Sequence, residues 1–121
     1  MATIELNAEN FERIITENDI VLVDFWASWC GPCIQFAPVY EQASMHHLDV
    51  VFGKVDTEAE QSLAAAAQIT SIPTLMAFKD GSLVFSQPGA LPAAALEQVI
   101  TAVHEFDIEQ IRTDNDHPRS A

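Results

Sequence analysis

Two residues are suited by type and spacing to redox chemistry: Cys30 and Cys33, the only cysteines in the chain. Gly31 and Pro32 separate them, and Trp29 precedes them. The thiolate, not the thiol, attacks a disulfide, so the first requirement is a site that stabilises the anion. The pair follows an apolar, β-prone run at residues 20–27 and opens a helical run that reaches about Met45. Free backbone N–H groups and the positive end of the helix dipole are found at such a start. Cys30, the first of the pair and the nearer to solvent, is the expected nucleophile. Cys33, one helical turn on, is placed to attack the mixed disulfide and release the product. Two rival uses of the pair are weaker. Zinc takes about four ligands, and His46, His47, His104 and His117 have no matching spacing, so no metal is expected. A purely structural disulfide would close a short loop worth roughly 2 kcal/mol.

The elements that must position the pair follow from pattern. Residues 3–6 alternate as a short strand. Residues 9–17 place Phe11, Ile14 and Ile15 on one helical face, with Asn7 as candidate N-cap. Residues 20–27 are almost wholly apolar, as in a strand buried on both faces. Pro38 lies within the helix that follows and should kink it. Residues 50–55 form another buried strand, and the alanine-rich residues 58–68 a helix. Residues 74–79 and 82–86 flank Asp80-Gly81, a strong hairpin signal. A last helix starts near Pro92, buries Leu96, Val99, Ile100 and Val103, and extends toward Ile108 and Ile111. The resulting order, β-α-β-α-β-α-β-β-α, predicts an α/β mixed sheet with helices on both faces. The cysteines fall where a strand ends and a helix begins, where active sites of α/β sheets gather.

Composition narrows the function. The chain has 121 residues, 49% of them hydrophobic. That length suits one domain that buries about two-thirds of its unfolded surface. We assign residues 1–112 to it and residues 113–121 to a polar tail that frays. Eighteen acidic residues against five basic ones give a formal charge of −13. Clustered cations of the kind that bind phosphate are missing, so neither nucleic acid nor an anionic membrane surface is an expected partner. No run approaches the about 20 apolar residues of a membrane span. The N-terminal residues lack a basic segment followed by an apolar one, and the chain reads as cytoplasmic. It has no Gly-rich dinucleotide loop of its own.

These features, taken in order, resemble a known family. Residues 21–33, Val-Leu-Val-Asp-Phe-Trp-Ala-Ser-Trp-Cys-Gly-Pro-Cys, resemble the active-site signature of thioredoxins. Ser71-Ile72-Pro73-Thr74 is similar to the family's cis-proline loop, and Phe78-Lys79-Asp80-Gly81 to its hairpin. Lys54-Val55-Asp56 and Pro88-Gly89-Ala90 also fall at family positions, and the similarity spans residues 3–106. The resemblance implies the thioredoxin fold, a central mixed five-stranded sheet with four helices on its two faces. It also implies a protein-disulfide reductase that works through a Cys30/Cys33 dithiol without a separate cofactor. Such a monomer would act on disulfide-containing target proteins and be recharged by an NADPH-dependent thioredoxin reductase.

Residue by residue, Asp24 matches the buried acid that moves protons to and from Cys33; the alternative is a strand-end capping acid. Lys54 matches the lysine facing that acid, or is an ordinary strand lysine. Trp29 matches a surface tryptophan beside the nucleophile, and Trp26 the more buried one, whose role is mainly packing. Pro73 matches the cis-proline facing the disulfide. Gly31, Pro32, Ile34, Ile72 and Gly89 complete a groove for an extended substrate segment. The chain departs from the family at Ile34, where a basic residue is common, at Ala67, where an aromatic is frequent, and at Pro88, which has no N–H to offer. It also runs past Phe106, beyond the usual length. The apolar rim of Trp29, Ile34, Ile72 and Pro73 would equally suit a binding or chaperone module, which has no need of the two thiols. An oxidase or isomerase fits Gly-Pro between the cysteines less well.

Overall fold

The computed structural model of the chain describes residues 2–108. Five strands and four α-helices are built in the expected order: β1 (Thr3–Glu5), α1 (Phe11–Glu17), β2 (Ile20–Trp26), α2 (Gly31–His46), β3 (Val51–Asp56), α3 (Gln61–Ala66), β4 (Thr74–Lys79), β5 (Ser82–Pro88) and α4 (Ala93–Glu105). The strands form one sheet in the order β1-β3-β2-β4-β5. β3 runs parallel to β1 and β2, whereas β4 pairs antiparallel with β2 and β5. The central strand is β2. Its Val21, Leu22, Val23 and Phe25 are inaccessible to solvent, which explains an apolar run without polar alternation.

Side-chain alternation along β2 divides the core in two. Leu22 packs with Phe36, Tyr40 and Ala43 of α2 and with Leu96, Ile100 and Val103 of α4. Val21, Val23 and Phe25 pack with Ile15 of α1, Val55 and Met76, and Leu63 of α3 lies against them. The sheet is therefore sandwiched, with α2 and α4 on one face and α1 and α3 on the other. Gly53 of β3 allows Leu6 to approach, because a Cβ there would collide with the leucine side chain.

Three helices differ in their bounds from the pattern reading, for local reasons. Asn7 does not cap α1. Its Oδ1 accepts the N–H groups of Glu9 and Asn10, at 2.9 and 3.0 Å, which holds a turn ahead of a helix that starts at Phe11. α3 starts at Gln61 rather than at residue 58, because Asp56 Oδ1 accepts from the N–H groups of Glu58 and Ala59. It ends where Gln68 takes a positive φ of 59°, the left-handed conformation that closes many helices. α4 stops at Glu105 instead of running on through Ile108, and Pro92 is its N-cap rather than its first helical residue. The reason at the C-terminal end is Lys79, whose Nζ donates to the carbonyls of Val103, His104 and Phe106 at 2.9, 2.7 and 2.7 Å. Those acceptors would otherwise need amides from a further turn. Ile108 is buried nonetheless. Ile111 and the tail assigned to residues 113–121 lie outside the described residues. α2 contains Pro38 without being ended by it.

Candidate active site

Cys30 is the N-cap of α2, with extended backbone at φ −87° and ψ 113°. Its carbonyl accepts the first helical bond, from Ile34 N–H at 3.1 Å. Pro32 is tolerated in the first turn, where its missing N–H would have no intrahelical partner. Cys30 and Cys33 are joined as a disulfide, with Cα atoms 5.2 Å apart. The Cys33 N–H points at Cys30 Sγ, 3.2 Å away. That amide is a ready donor to a Cys30 thiolate once the bond is reduced.

Exposure barely separates the two cysteines. Cys30 is 4% exposed and Cys33 2%, both in one cluster with Ala27 against which Trp26 and Ile72 pack. What separates them is their place on the helix, Cys30 outside it as cap and Cys33 within the first turn. The Ile72–Pro73 peptide is cis, and the Ile72 carbonyl lies 3.7 Å from Cys30 Sγ. Pro73 O in turn accepts the Gly89 N–H at 2.7 Å. Gly89 has φ +100°, so any other residue would be strained there. Gly31, Pro32 and Gly89 are exposed, and the Trp29 and Ile34 side chains extend the surface at 67% and 59% exposure.

Asp24 sits mid-strand on the face of β2 that also carries Leu22 and Trp26. It is 1% exposed, and neither carboxyl oxygen has a hydrogen-bond partner. Burial pushes its pKa up from 3.8 to about 7, partly offset by the charge of Lys54. Lys54 pairs with Asp24 in the β2–β3 register and places Nζ 4.8 Å from the centre of the Trp26 ring. Thus the structure brings Cys30, Cys33, Ile72 and Pro73 together and sets Asp24 and Lys54 beside each other near Trp26. Three contacts escaped the pattern reading. Tyr40 is fully buried and donates its hydroxyl to Gly53 O at 2.7 Å; burial, and then the charge of Asp24, push its pKa well above the ordinary tyrosine value. Glu58 Oε1 accepts the Trp29 indole N–H at 2.9 Å. Lys79 holds the end of α4. All three join residues far apart in the chain, and no short motif announces them.

The sequence model of the family described as Thioredoxin matches residues 2–102. The chain belongs to the thioredoxin family. A Streptomyces coelicolor relative designated thioredoxin 2 is 55% identical over 111 residues, which cover 92% of this chain and 83% of the relative. Among solved structures, Plasmodium falciparum thioredoxin superposes with a TM-score of 0.76 at 37% identity, over 87% of this chain and 99% of that one. A structure on the thiol resolving mechanism in yeast mitochondrial 1-Cys peroxiredoxin via glutathione/thioredoxin systems gives 0.76 at 33% identity, over 83% and 94%. The thioredoxin fold, with its mixed five-stranded sheet and four helices, is therefore the fold of this chain. Its chemistry is that of a thiol–disulfide oxidoreductase, a protein-disulfide reductase acting through Cys30 and Cys33. The family carries its redox group in its own cysteine pair. No helix among the described residues is long and apolar enough to cross a membrane.

Proposed function

We propose that this chain is a general cytoplasmic reductant of target-protein disulfides, monomeric and recharged by an NADPH-dependent thioredoxin reductase. The observation that carries the reading is the redox pair itself, with Cys30 at the N-cap of α2 and the Cys33 amide aimed at its sulfur. In the reduced protein the Cys30 thiolate attacks one sulfur of a target disulfide. The target S–S bond breaks, a Cys30–target mixed disulfide forms, and the departing target thiolate takes up a proton. Cys33 then loses its proton and attacks Cys30 Sγ. The mixed disulfide breaks, the second target thiolate leaves, and Cys30–Cys33 is restored as a disulfide. Two electrons and one proton pass to the target, because Cys30 begins as the thiolate and the second target sulfur leaves as one.

We assign the proton handling at Cys33 to Asp24. Its pKa of about 7 lies near neutral pH, where a group can both accept and return a proton. Lys54 then limits how far that pKa rises. The extended target segment lies on Trp29, Gly31, Pro32, Ile34, Ile72, Pro73 and Gly89. A reducing compartment suits a dithiol of this kind. The thiol-resolving system of the yeast neighbour supports oxidised thiol proteins as one target class. The test is insulin reduction coupled to NADPH and a bacterial-type thioredoxin reductase. Sustained NADPH oxidation with precipitation of insulin chains is expected. No acceleration of insulin reduction over added dithiol alone would leave a binding module instead.

A further inference from the structure

We infer that Glu58 is a specificity residue of the active-site face, one that favours disulfides flanked by Lys or Arg; this rests on the disulfide-reductase reading above. Trp29 is next to Cys30 in the chain, and its indole N–H donates to Glu58 Oε1 at 2.9 Å. The backbone that carries the carboxylate is held as well. Asp56 Oδ1 accepts the N–H groups of Glu58 and Ala59, and Asp56 O accepts that of Glu60 at 2.8 Å. The turn thus fixes Glu58 just past the end of β3, against the ring that borders the nucleophile. One indole bond does not exhaust a carboxylate, which can accept at about four lone-pair sites. Charge and acceptor capacity both remain for an incoming side chain.

Nothing described nearby is free to neutralise it. Arg13 pairs with Glu17 at 3.9 Å, Lys79 is spent on the α4 carbonyls, and half-buried Lys54 lies over Trp26 in the field of Asp24. Arg112 and Arg119, the other cations of the chain, lie outside the described residues. Ile34, next to Cys33, has an apolar, exposed side chain and supplies no positive charge. The groove is therefore apolar where it holds the disulfide and negative where Glu58 meets the flanking residues. An exposed ion pair of this kind contributes little in absolute terms, but attraction for a cation and repulsion of an anion act in the same direction on selectivity.

Two disulfide peptides that differ only in one residue flanking a cysteine, Lys in one and Glu in the other, read this out. Wild type at low salt should show a kcat/KM ratio of about 3–10 in favour of the Lys peptide, falling toward one at high salt. Glu58→Gln keeps an oxygen for the Trp29 indole while removing the charge. Its tryptophan fluorescence should match wild type, while its Lys/Glu ratio drops about 2–5-fold. An unchanged ratio in Glu58→Gln, with selectivity intact, would place the preference in the overall acidity and overturn the assignment. A wild-type ratio of one or below overturns it too. Should wild type reduce neither peptide, the reductase reading fails first and this inference falls with it.

Discussion

Asp24 is a carboxylic acid in the middle of an apolar strand, with both oxygens unpartnered. Folding raises its pKa from 3.8 to about 7. Between those values the native state holds a proton that the unfolded chain has released. Stability therefore falls as pH rises through that window and levels off above it, where both states are ionised. At about 1.4 kcal/mol per unit, the penalty approaches roughly 4 kcal/mol in alkaline solution. Asp24→Asn should accordingly gain a few kcal/mol in denaturant melts of the oxidised protein at about pH 8, and little at about pH 4. The same variant should slow disulfide reduction near neutrality; unchanged kinetics would remove the proton role. The cysteines make a second prediction. Cys33→Ser leaves the attacking thiolate at the N-cap, so it should accumulate covalent complexes with targets that dissolve in added dithiol. Cys30→Ser should trap far less. Because the two cysteine residues are nearly equally buried, this difference would reflect helix position, and the opposite pattern would exchange the roles.

At the scale of elements, the C-terminal end of α4 depends on one residue from another element. Lys79, at the last position of β4, brings a positive charge and three donors to carbonyls that carry the negative end of the helix dipole. Lys79→Met should lower unfolding free energy by about 1–3 kcal/mol. Amide exchange should quicken most in the last turn of α4, and a uniform change across the protein would argue against capping. The strand–helix order and the two-faced burial of β2 were legible because long apolar runs and helical spacing report burial directly. The helix ends were not. At Asn7 and Asp56 the side chains turned back on nearby amides, and local hydrogen bonds of that sort compete with helix without altering the hydrophobic pattern.

For the whole molecule, a formal charge of −13 on a folded domain implies self-repulsion that salt should relieve. Raising ionic strength from about 0.01 M to about 1 M shortens the screening length from roughly 30 Å to 3 Å. The opposing losses are small. Among the described residues, Arg13–Glu17 and His104–Asp49 are exposed pairs at 3.9 and 3.2 Å and His47–Glu97 a half-exposed one at 2.8 Å, and each contributes little. The melting temperature should therefore rise with sodium chloride; a fall would mean that attractive pairs outweigh the net charge.

By itself the sequence determined the chemistry and the order of elements. A Cys-Gly-Pro-Cys between a buried strand and a helix sets a thiolate against free amides through contacts only a few residues apart, so adjacent residues suffice to show it. It also marked Asp24, since an acid in an apolar strand has few bland explanations. The tertiary structure decided what depends on distant residues meeting: the Ile72 carbonyl beside Cys30 Sγ, the Pro73–Gly89 bond, the Glu58 anchor of Trp29 and the Lys79 cap. It likewise decided that both cysteines share a cluster with Ala27, packed against by Trp26 and Ile72. Periodicity says which face of an element is buried, whereas the side chains that close over that face come from elsewhere in the chain.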